Sequence, residues 1–564
     1  MAKLRKHLMV VGVLVLVFSM ATPLMQCSLG VSEETEEVTE EGPKAEEIEY
    51  GGRLTVGWLS GLENLVMDSK MVYTTWGLLL TQLCYDFVWF QGWPENNYDP
   101  VPVLGTSWET EDGKTWIWHL REDSTFHDGT PVTAEDVAFT FWYLVSADPA
   151  WQYPRTVCES YPTVIDDYTV EFVMAEATGG PYPAAAWMPI VPKHIWEPYK
   201  DDMLSFENEE CVGSGPFKLK EFKPDEYIWF VVNDDYGGVT HEGRPYLDEL
   251  VFKKYGSLDV LYKALGNEEI DCIGDVGCSP LVVDELEAME HIDTMVSPGL
   301  PTQMLALNLH KDTPLQDLNV RKAIAYGIDR DRCIDMIYRG YADKIDSMVY
   351  AELPDHNPNL PQYGYDLNKA NDILDNAGYV DTDGDGIRND PISGKNLAFD
   401  LVASAASPDL VKAGTLIEEQ LRDIGINIDR EVLDQATYTT VVYAPEEEQF
   451  DMCFSGVSGG ANSDWSWYKV VSPNAGGSAW NTAYYDNPEF DERYFKMLPE
   501  RDLEKRRDYL HDMQMIMAED LPYVFLWRAS IIDPVNNRFE GYVSRMGGIS
   551  GWSNPWTFEE VHLK

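Results

Sequence analysis

Two segments carry residues whose type and spacing could bind a ligand, and the first lies between Asp381 and Asp390. Aspartates occupy alternate positions there, and a glycine stands where a calcium-binding loop must turn sharply. Ile392 occupies the position at which an EF-hand has a bidentate glutamate, so Asp390 would have to complete the ligand shell. The sequence therefore allows either a structural calcium site or a metal-free turn between a helix and a strand. The predicted ligands are Asp381, Asp383, Asp385, the carbonyl of Ile387, and Asp390.

The second segment, Phe450–Trp467, joins a short apolar run to a loop rich in glycine and serine. The run predicts a buried strand, and the loop follows the strand end, where α/β sheets leave a crevice for ligands. Tryptophans in and near this loop could be flat apolar platforms for a sugar face or a peptide side chain, although core packing explains a tryptophan equally well. The predicted ligand-binding residues are Trp58, Trp76, Gly460, Asp464, Trp465, Trp467, Trp480 and Asn481.

The sequence offers little support for catalysis. Neither a Walker A motif nor an HExxH motif is present. Among 96 aspartates and glutamates, pairs at catalytic separations must arise by chance, so no acid–base pair can be singled out. The sequence predicts a binding protein that makes and breaks no bond, with an extracellular hydrolase as the alternative from another class.

Periodicity predicts the elements that must position these segments. Thr133 and Asp136 have the spacing at which a hydroxyl and a carboxylate cap a helix N-terminus. Alternating helices and strands in the C-terminal half indicate an α/β sheet with helices on its faces. Predicted strands are Arg53–Trp58, the face Trp116, Trp118 and Leu120, the face Tyr227, Trp229 and Val231, and Leu397–Ala403; predicted helices are Asn368–Ala377 and Asp409–Ile424.

Five blocks of sequence, in order along the chain, resemble one family. They are Leu104–Phe141, Val212–Phe217, Gly243–Glu249, Val320–Arg330 and Asn487–Trp527. Together these blocks are similar to the family 5 extracellular solute-binding proteins, the peptide, nickel and oligosaccharide receptors of ABC importers. The resemblance extends over nearly everything from Tyr50 to the last residue.

The resemblance implies a periplasmic-binding-protein-like fold of type II, in the α/β class. Two large α/β lobes would be joined by a two-stranded hinge, and a smaller α+β lobe would be inserted in the first. The sequence supplies the expected boundaries: lobe I comprises 50–85, 211–305 and 521–564, lobe II comprises 86–210, and lobe III comprises 306–520. Two passages between lobes I and III would let a cleft close on a ligand.

The resemblance also implies a function. The protein would capture an oligopeptide or a similar small solute in the interlobe cleft and deliver it, as a monomer, to ABC permease subunits. Peptide receptors of this family place an aspartate near the position of Gly460 to pair with the peptide ammonium, whereas the nearest carboxylate here is Asp464. Because an unpaired ammonium in a closed cleft is costly, an oligosaccharide receptor of the same family is the alternative.

The first 49 residues predict export and tethering. Residues 1–27 combine Lys3, Arg5 and Lys6 with an apolar run that is short of the roughly 20 residues needed to span a bilayer, as in an export signal. Cys27 stands where a lipoprotein signal has its acylated cysteine, although Gln26 replaces the usual small residue. Residues 28–49 are strongly acidic and predict a disordered linker. We expect a periplasmic or cell-surface protein that a lipid anchor holds on the membrane.

The net charge of −54 excludes nucleic acid as a partner, because phosphate contacts need basic clusters. The excess is spread along the chain, which favours a saline habitat over attraction of a cationic ligand. No cofactor is predicted apart from the possible calcium.

Eight cysteines permit disulfides in an exported protein. Cys272 with Cys278 and Cys158 with Cys211 are the pairs that the spacing suggests. Without Cys27 the number is odd, so at least one buried free thiol is expected.

Overall fold

A computed structural model describes the chain from Ile48 onward, with gaps. The described residues are 48–59, 81–90, 100–147, 158–179, 188–202, 206, 208–274, 277–443, 449–458, 467–472, 480–549 and 556–564. The predicted export signal, Cys27 and residues 28–47 of the linker lie outside them. Within this part of the chain, no helix has the length and apolar character needed to cross a membrane.

The described strands and helices are numbered in chain order. The strands are β1 Arg53–Trp58, β2 Trp89–Phe90, β3 Val101–Pro102, β4 Gly105–Glu109, β5 Thr115–Leu120, β6 Thr163–Asp166, β7 Thr169–Val173, β8 Phe217–Lys223, β9 Tyr227–Val232, β10 Glu249–Lys254, β11 Cys272–Ile273, β12 Ile292–Pro298, β13 Pro301–Leu307, β14 Ala342–Lys344, β15 Ala398–Ser404, β16 Asn427–Leu433, β17 Met452–Ser458, β18 Tyr523–Asn536, β19 Phe539–Glu540 and β20 His562–Leu563. The α-helices are α1 Ala134–Ala147, α2 Lys193–Trp196, α3 Leu258–Gly266, α4 Val283–Glu287, α5 Leu318–Gly327, α6 Arg330–Tyr338, α7 Leu367–Asn376, α8 Pro408–Arg422, α9 Gln435–Tyr443, α10 Pro488–Met497, α11 Leu503–Asp520 and α12 Thr557–Glu560. Short 3₁₀ helices cover Glu197–Tyr199 and Pro314–Gln316.

One mixed sheet runs through both large lobes, in the order β16-β15-β17-β13-β18-β11-β1-β10-β9-β8. Strand β18 belongs to both halves of this sheet. Its residues Tyr523–Trp527 pair with β13, whereas Ser530–Asn536 pair with β12. Since β12 and β13 are consecutive strands, the chain passes twice between the halves at the same place.

Strand pairing fixes where these two passages lie. The first is at Gly299–Leu300, between β12 and β13, and the second is at Ala529–Ser530 within β18. The predicted lobe boundaries at 305 and 521 lie several residues from these passages and stay a prediction. A β-carbon on Gly299 would collide with the carbonyl oxygen of Ala529, so the two passages are in direct backbone contact.

Lobe II is a separate four-stranded sheet, in the order β4-β5-β7-β6, with α1 against it. Its buried face, with Trp118 and Phe172, belongs to the same hydrophobic cluster as Val56 and Phe252 of lobe I. Lobe III instead has clusters of its own on the two faces of its half of the sheet. Lobe II is therefore packed onto lobe I, and lobe III is the independent half.

Several local predictions are confirmed at the residue level. Strand β1 has the predicted bounds, and Trp116, Trp118 and Leu120 are the buried face of β5. The main-chain N–H of Thr133 donates to Asp136 Oδ2 at 2.9 Å, which is the carboxylate half of a capping box, and the Thr133 hydroxyl donates to the same oxygen at 3.0 Å.

The predicted face of β9 is the wrong one. Ile228 and Phe230 are buried, whereas Tyr227, Trp229 and Val231 are only half-buried. The alternation was detected correctly, but both faces of the strand carry large apolar residues, so pattern alone could not choose between them.

The structure places the members of each suggested cysteine pair in different surroundings. The seven described cysteines are all free and buried. The sulfur of Cys158 contacts the sulfur of Met174 at 3.7 Å, so it faces another part of the core than Cys211. Cys272 belongs to the hydrophobic cluster that contains Leu54 and Leu250, whereas Cys278 belongs to the cluster that contains Leu261 and Val283.

Lobes II and III touch at a site away from the hinge. The main-chain N–H of Gly179 donates to the carbonyl of Leu498 at 2.8 Å. The Arg501 guanidinium donates to the carbonyls of Thr110 and Glu111, at 3.3 and 3.2 Å. We call this group of contacts the II–III contact. It consists of hydrogen bonds to main-chain oxygens, with an exposed arginine as its side-chain member.

Two buried carboxylates lie where the last helix meets lobe I. Burial, and then the charge of Glu559, raises the pKa of Asp86 to about 8, although the Tyr236 hydroxyl donates to its Oδ1 at 3.2 Å. Burial raises the pKa of Glu559 to about 7. Its Oε2 accepts hydrogen bonds from the N–H groups of Val239 and Thr240.

These raised pKa values predict that the free energy of unfolding falls as the pH rises from about 4 to about 8. Over that range the folded state retains protons that the unfolded state has lost, so raising the pH favours unfolding, by an amount on the order of a few kcal/mol. Urea unfolding as a function of pH measures the slope. Asp86→Asn should flatten it, whereas the exposed control Glu122→Gln should leave it unchanged; an unaltered slope in Asp86→Asn would contradict the assignment.

Candidate functional site

The best-exposed of the predicted ligand-binding residues that the structure describes is Trp480. Its side chain is 48% exposed, and its ring centroid lies 4.7 Å from that of Tyr443, the last residue of α9. The Lys469 ammonium nitrogen lies 5.0 Å from the centroid of the same ring. We call Trp480, Tyr443 and Lys469 the Trp480 platform.

The backbone beside the platform is fixed to the central strands of lobe III. The Thr482 hydroxyl donates to Ser455 Oγ of β17 at 3.0 Å. The N–H of Ala483 donates to the Tyr523 hydroxyl at 3.3 Å, and its carbonyl accepts from Leu309 N at 2.9 Å. An aromatic surface is thereby held rigidly beside β17, the strand that leads into the predicted recognition loop.

The platform joins an apolar surface to positive charge. Burial lowers the pKa of Lys469, since an ammonium loses hydration among aromatic rings. Burial also raises the pKa of Tyr443, to about 12, so its hydroxyl stays neutral. Such a surface can stack on a flat or apolar ligand group and can favour a neighbouring carboxylate or polar group.

Two of the predicted tryptophans belong to the core instead. Trp58 is fully buried and meets Phe252 edge-on, with ring centroids 5.2 Å apart. Trp467 is fully buried too, 5.9 Å from Phe490. Each large apolar ring completes the packing of a hydrophobic cluster, and ligand contact by either residue stays a prediction.

Asn481 is a positioning residue rather than a ligand contact. Its amide donates to the carbonyl of Tyr485 at 2.7 Å, and its Oδ1 accepts from Tyr485 N at 2.9 Å. The Tyr523 hydroxyl also approaches Oδ1, at 3.4 Å. With the side chain buried and its hydrogen bonds used, Asn481 holds the turn that follows Trp480.

The remaining predicted residues of the recognition segment lie outside the described residues. They are Trp76, Gly460, Asp464 and Trp465. Their role as ligand contacts, and that of Asp464 as the ammonium partner, stays a prediction.

One buried cation was missed by the sequence reasoning. Arg528, next to the second passage, has a side chain that is 5% exposed and pairs with Asp343 and Glu352. Its guanidinium carbon lies 4.3 Å from the centroid of the Tyr350 ring. Its partners are far away in sequence, so no local pattern could have indicated this cluster.

The aspartate loop has part of the geometry of a calcium site. Ligand atoms of Asp381, Asp383 and Asp385 lie within 4.8 Å of one another, and all three residues are exposed. Hydrogen bonds from Gly384 and Gly386 to Asp381 hold the loop in the same turn without any metal. The loop is therefore compatible with both sequence-based alternatives.

Asp390 does not complete that cluster. Its Oδ1 accepts from Ile392 N at 2.9 Å, and its Oδ2 accepts from the Ser393 hydroxyl at 2.7 Å. It caps the following turn, and its role as the closing ligand stays a prediction. The Ile387 carbonyl stays a predicted ligand.

The sequence also contains one motif that is typical of hydrolases. Gly456–Gly460 spells GxSxG, which in α/β hydrolases forms a sharp turn between strand and helix. Ser458 instead pairs with Pro301 in the ladder between β17 and β13. A strand residue in a paired ladder does not have the geometry of that nucleophile.

Comparisons with known proteins agree with the architecture. Residues 99–479 match the family described as bacterial extracellular solute-binding proteins, family 5. The chain belongs to this family. Its members are extracellular solute-binding proteins, so the predicted family and the type II fold class are confirmed.

Individual relatives are distant but similar along most of their length. The oligopeptide-binding protein AppA of Bacillus subtilis is 27% identical over 448 residues, which are 77% of this chain and 79% of the relative. The dipeptide-binding protein of Escherichia coli is 24% identical over 474 residues, 78% and 83% of the two chains. The solved structure of B. subtilis AppA with a nonapeptide superposes with a TM-score of 0.70 at 22% identity, covering 92% of this chain and 100% of that one.

We predict that calcium binds the aspartate loop and raises the melting temperature. A ligand present at about 100 times its Kd stabilises the folded state by about 2.7 kcal/mol. Calorimetric titration with calcium chloride, and melting curves with and without it, measure both effects. Asp383→Asn should abolish them, and the exposed control Asp372→Asn on α7 should not. Equal melting temperatures with calcium and with EDTA would show that the loop is a metal-free turn.

Proposed function

We propose that this protein is the peptide-binding receptor of an ABC importer, which captures an oligopeptide between lobes I and III and delivers it to the permease. The observation that carries the proposal is membership of the solute-binding family over residues 99–479. The double passage at Gly299 and Ala529 supports it, since two adjacent strands permit bending of one half against the other.

Peptide is the ligand class that the comparisons favour over sugar. Both relatives and the solved complex named above bind peptides according to their names. The Trp480 platform suits a peptide, because an apolar side chain can stack on the ring while a carboxylate approaches the ammonium of Lys469. An oligosaccharide would use the ring but gains less from the charge.

The protein makes and breaks no covalent bond in this proposal. Family and relatives are solute-binding proteins. The buried carboxylate of Asp86 accepts from the Tyr236 hydroxyl and that of Glu559 from the main-chain N–H of Val239, so both are engaged within the structure. Release of an unchanged ligand then depends only on opening of the lobes.

Tethering and a monomeric state complete the proposal. We infer that Cys27 carries a lipid anchor and that the acidic residues 28–49 let the lobes reach a membrane permease. The acidic composition of this segment supports a solvated spacer. We infer that the protein acts as a monomer, because one copy of the chain contains both lobes that would enclose the ligand.

The substitution Trp480→Ala removes the aromatic ring of the platform and should weaken peptide binding. A pooled library of random di-, tetra- and nonapeptides should raise the melting temperature of the wild-type protein. Loss of one aromatic contact costs about 1–2 kcal/mol, so the affinity of a peptide selected from the pool should fall about 5- to 30-fold.

The matched control is Trp229→Ala, which should leave the affinity unchanged. Trp229 also has a lysine ammonium over its ring, with Lys220 Nζ 3.7 Å from the centroid. It lies on β9, at the opposite end of the sheet from β17. Stabilisation of the wild type by cello- or malto-oligosaccharides and by no peptide would overturn the peptide proposal.

A further inference from the structure

The base of lobe II is formed by two chain segments in tight contact. One segment, Leu83–Asp86, leaves lobe I, and the other, Asn208–Gly215, returns to it. Asn208 Nδ2 donates to the Tyr85 hydroxyl at 2.9 Å, and Gly215 N donates to the carbonyl of Cys84 at 2.8 Å. These two hydrogen bonds fix the segments to each other on both sides of Cys211.

The backbones of the two segments lie so close together that no side chain fits between them at Gly213. A β-carbon on Gly213 would collide with the Cys84 carbonyl oxygen, so only glycine is tolerated there. Cys211 itself has a φ of 48°, in the left-handed region that residues with a β-carbon enter at a cost. The surrounding contacts therefore determine the position of Cys211.

Cys84 and Cys211 lie on the two segments that this contact joins. Cys84 is fully buried and Cys211 is 5% exposed, and both belong to the hydrophobic cluster that lobes I and II share. Burial, followed by a hydrogen bond with the Cys211 thiol, raises the pKa of Cys84 well above its usual range. The thiols are thus neighbours, whereas Cys158 contacts Met174 and Cys333 lies in a cluster of lobe III.

We propose that Cys84 and Cys211 form a disulfide in the exported protein. This bond would link the two chain segments at the base of lobe II covalently. The oxidant is a second, external disulfide, which reacts by thiol–disulfide exchange. One thiolate attacks it and forms a mixed disulfide; the second thiolate then attacks the protein sulfur. The bond between the sulfurs of Cys84 and Cys211 forms and the S–S bond of the oxidant breaks. The oxidant takes up the two protons lost by the protein thiols and leaves as a dithiol.

The buried position dictates when this bond forms and what it does. A buried thiol of raised pKa reacts slowly. Oxidation must therefore occur during folding, before lobe II buries the two thiols. Once formed, the bond is protected from reductants in the folded state. It would make lobe II follow lobe I as one body, which leaves the passages at Gly299 and Ala529 as the flexible joint.

A peptide map of the full-length protein, exported to an oxidising compartment and purified without reductant, tests the proposal. The protein is unfolded in guanidinium with iodoacetamide and digested, and cysteine-containing peptides are identified by mass spectrometry. We expect a linked pair of peptides containing Cys84 and Cys211, two hydrogens lighter than their sum, while Cys158, Cys333 and Cys453 are alkylated. Full alkylation of Cys84 and Cys211, or linkage of either to another cysteine, would overturn the proposal.

Two variants provide a second readout. The double variant Cys84→Ser/Cys211→Ser should melt several degrees below the wild type, because the long enclosed loop is no longer constrained in the unfolded chain. Dithiothreitol added to the wild type after unfolding and before refolding should reproduce that loss, and it should change nothing in the double variant. The control Cys333→Ser should keep the sensitivity to reductant, and identical sensitivity in the double variant would contradict the disulfide.

Discussion

The double passage between the two halves of the large sheet is the constraint on which the rest of the structure depends. Strand β18 pairs with β13 before Ala529 and with β12 after it, so a single strand belongs to both halves. Gly299 allows the other passage to lie directly against Ala529. Two adjacent backbones can bend together, but they resist the twisting that one strand alone would permit.

A cluster of paired charged side chains lies beside the second passage. Arg528 is buried with Asp343 and Glu352 and lies over Tyr350. A buried guanidinium is tolerated only while it is paired, so the cluster holds the surrounding segments in register. The second passage thus lies directly beside a set of paired, buried side chains.

The contacts between lobes II and III, among the residues that the structure describes, are of a weaker kind. Lobe II shares its hydrophobic cluster with lobe I, whereas the II–III contact consists of hydrogen bonds from Gly179 and Arg501 to main-chain oxygens. Each such bond contributes only about 1 kcal/mol, because water replaces it on opening. Closure held by these bonds alone is readily reversed, so a bound ligand can decide whether the closed state is populated.

Local physics explains what the sequence predicted well. Strand β1 and the Thr133–Asp136 cap depend on residues within one element, and their patterns admit few alternatives. The roles of Trp58 and Trp467 could not be predicted, because an indole suits a core and a binding surface equally. The platform partner Lys469 and the hinge cation Arg528 acquire their neighbours only through long-range packing, which leaves no signal in local spacing.

The most direct test of the account is the distance between lobes II and III in solution, with and without peptide. Fluorescent probes at the exposed Asp166 and Lys505 report it by single-molecule energy transfer. Saturation with a peptide selected from the pooled library should shift the molecules to one population of short distance, while the free protein also visits longer distances. An unchanged distance distribution at a peptide concentration that raises the melting temperature would contradict capture by closure of the lobes.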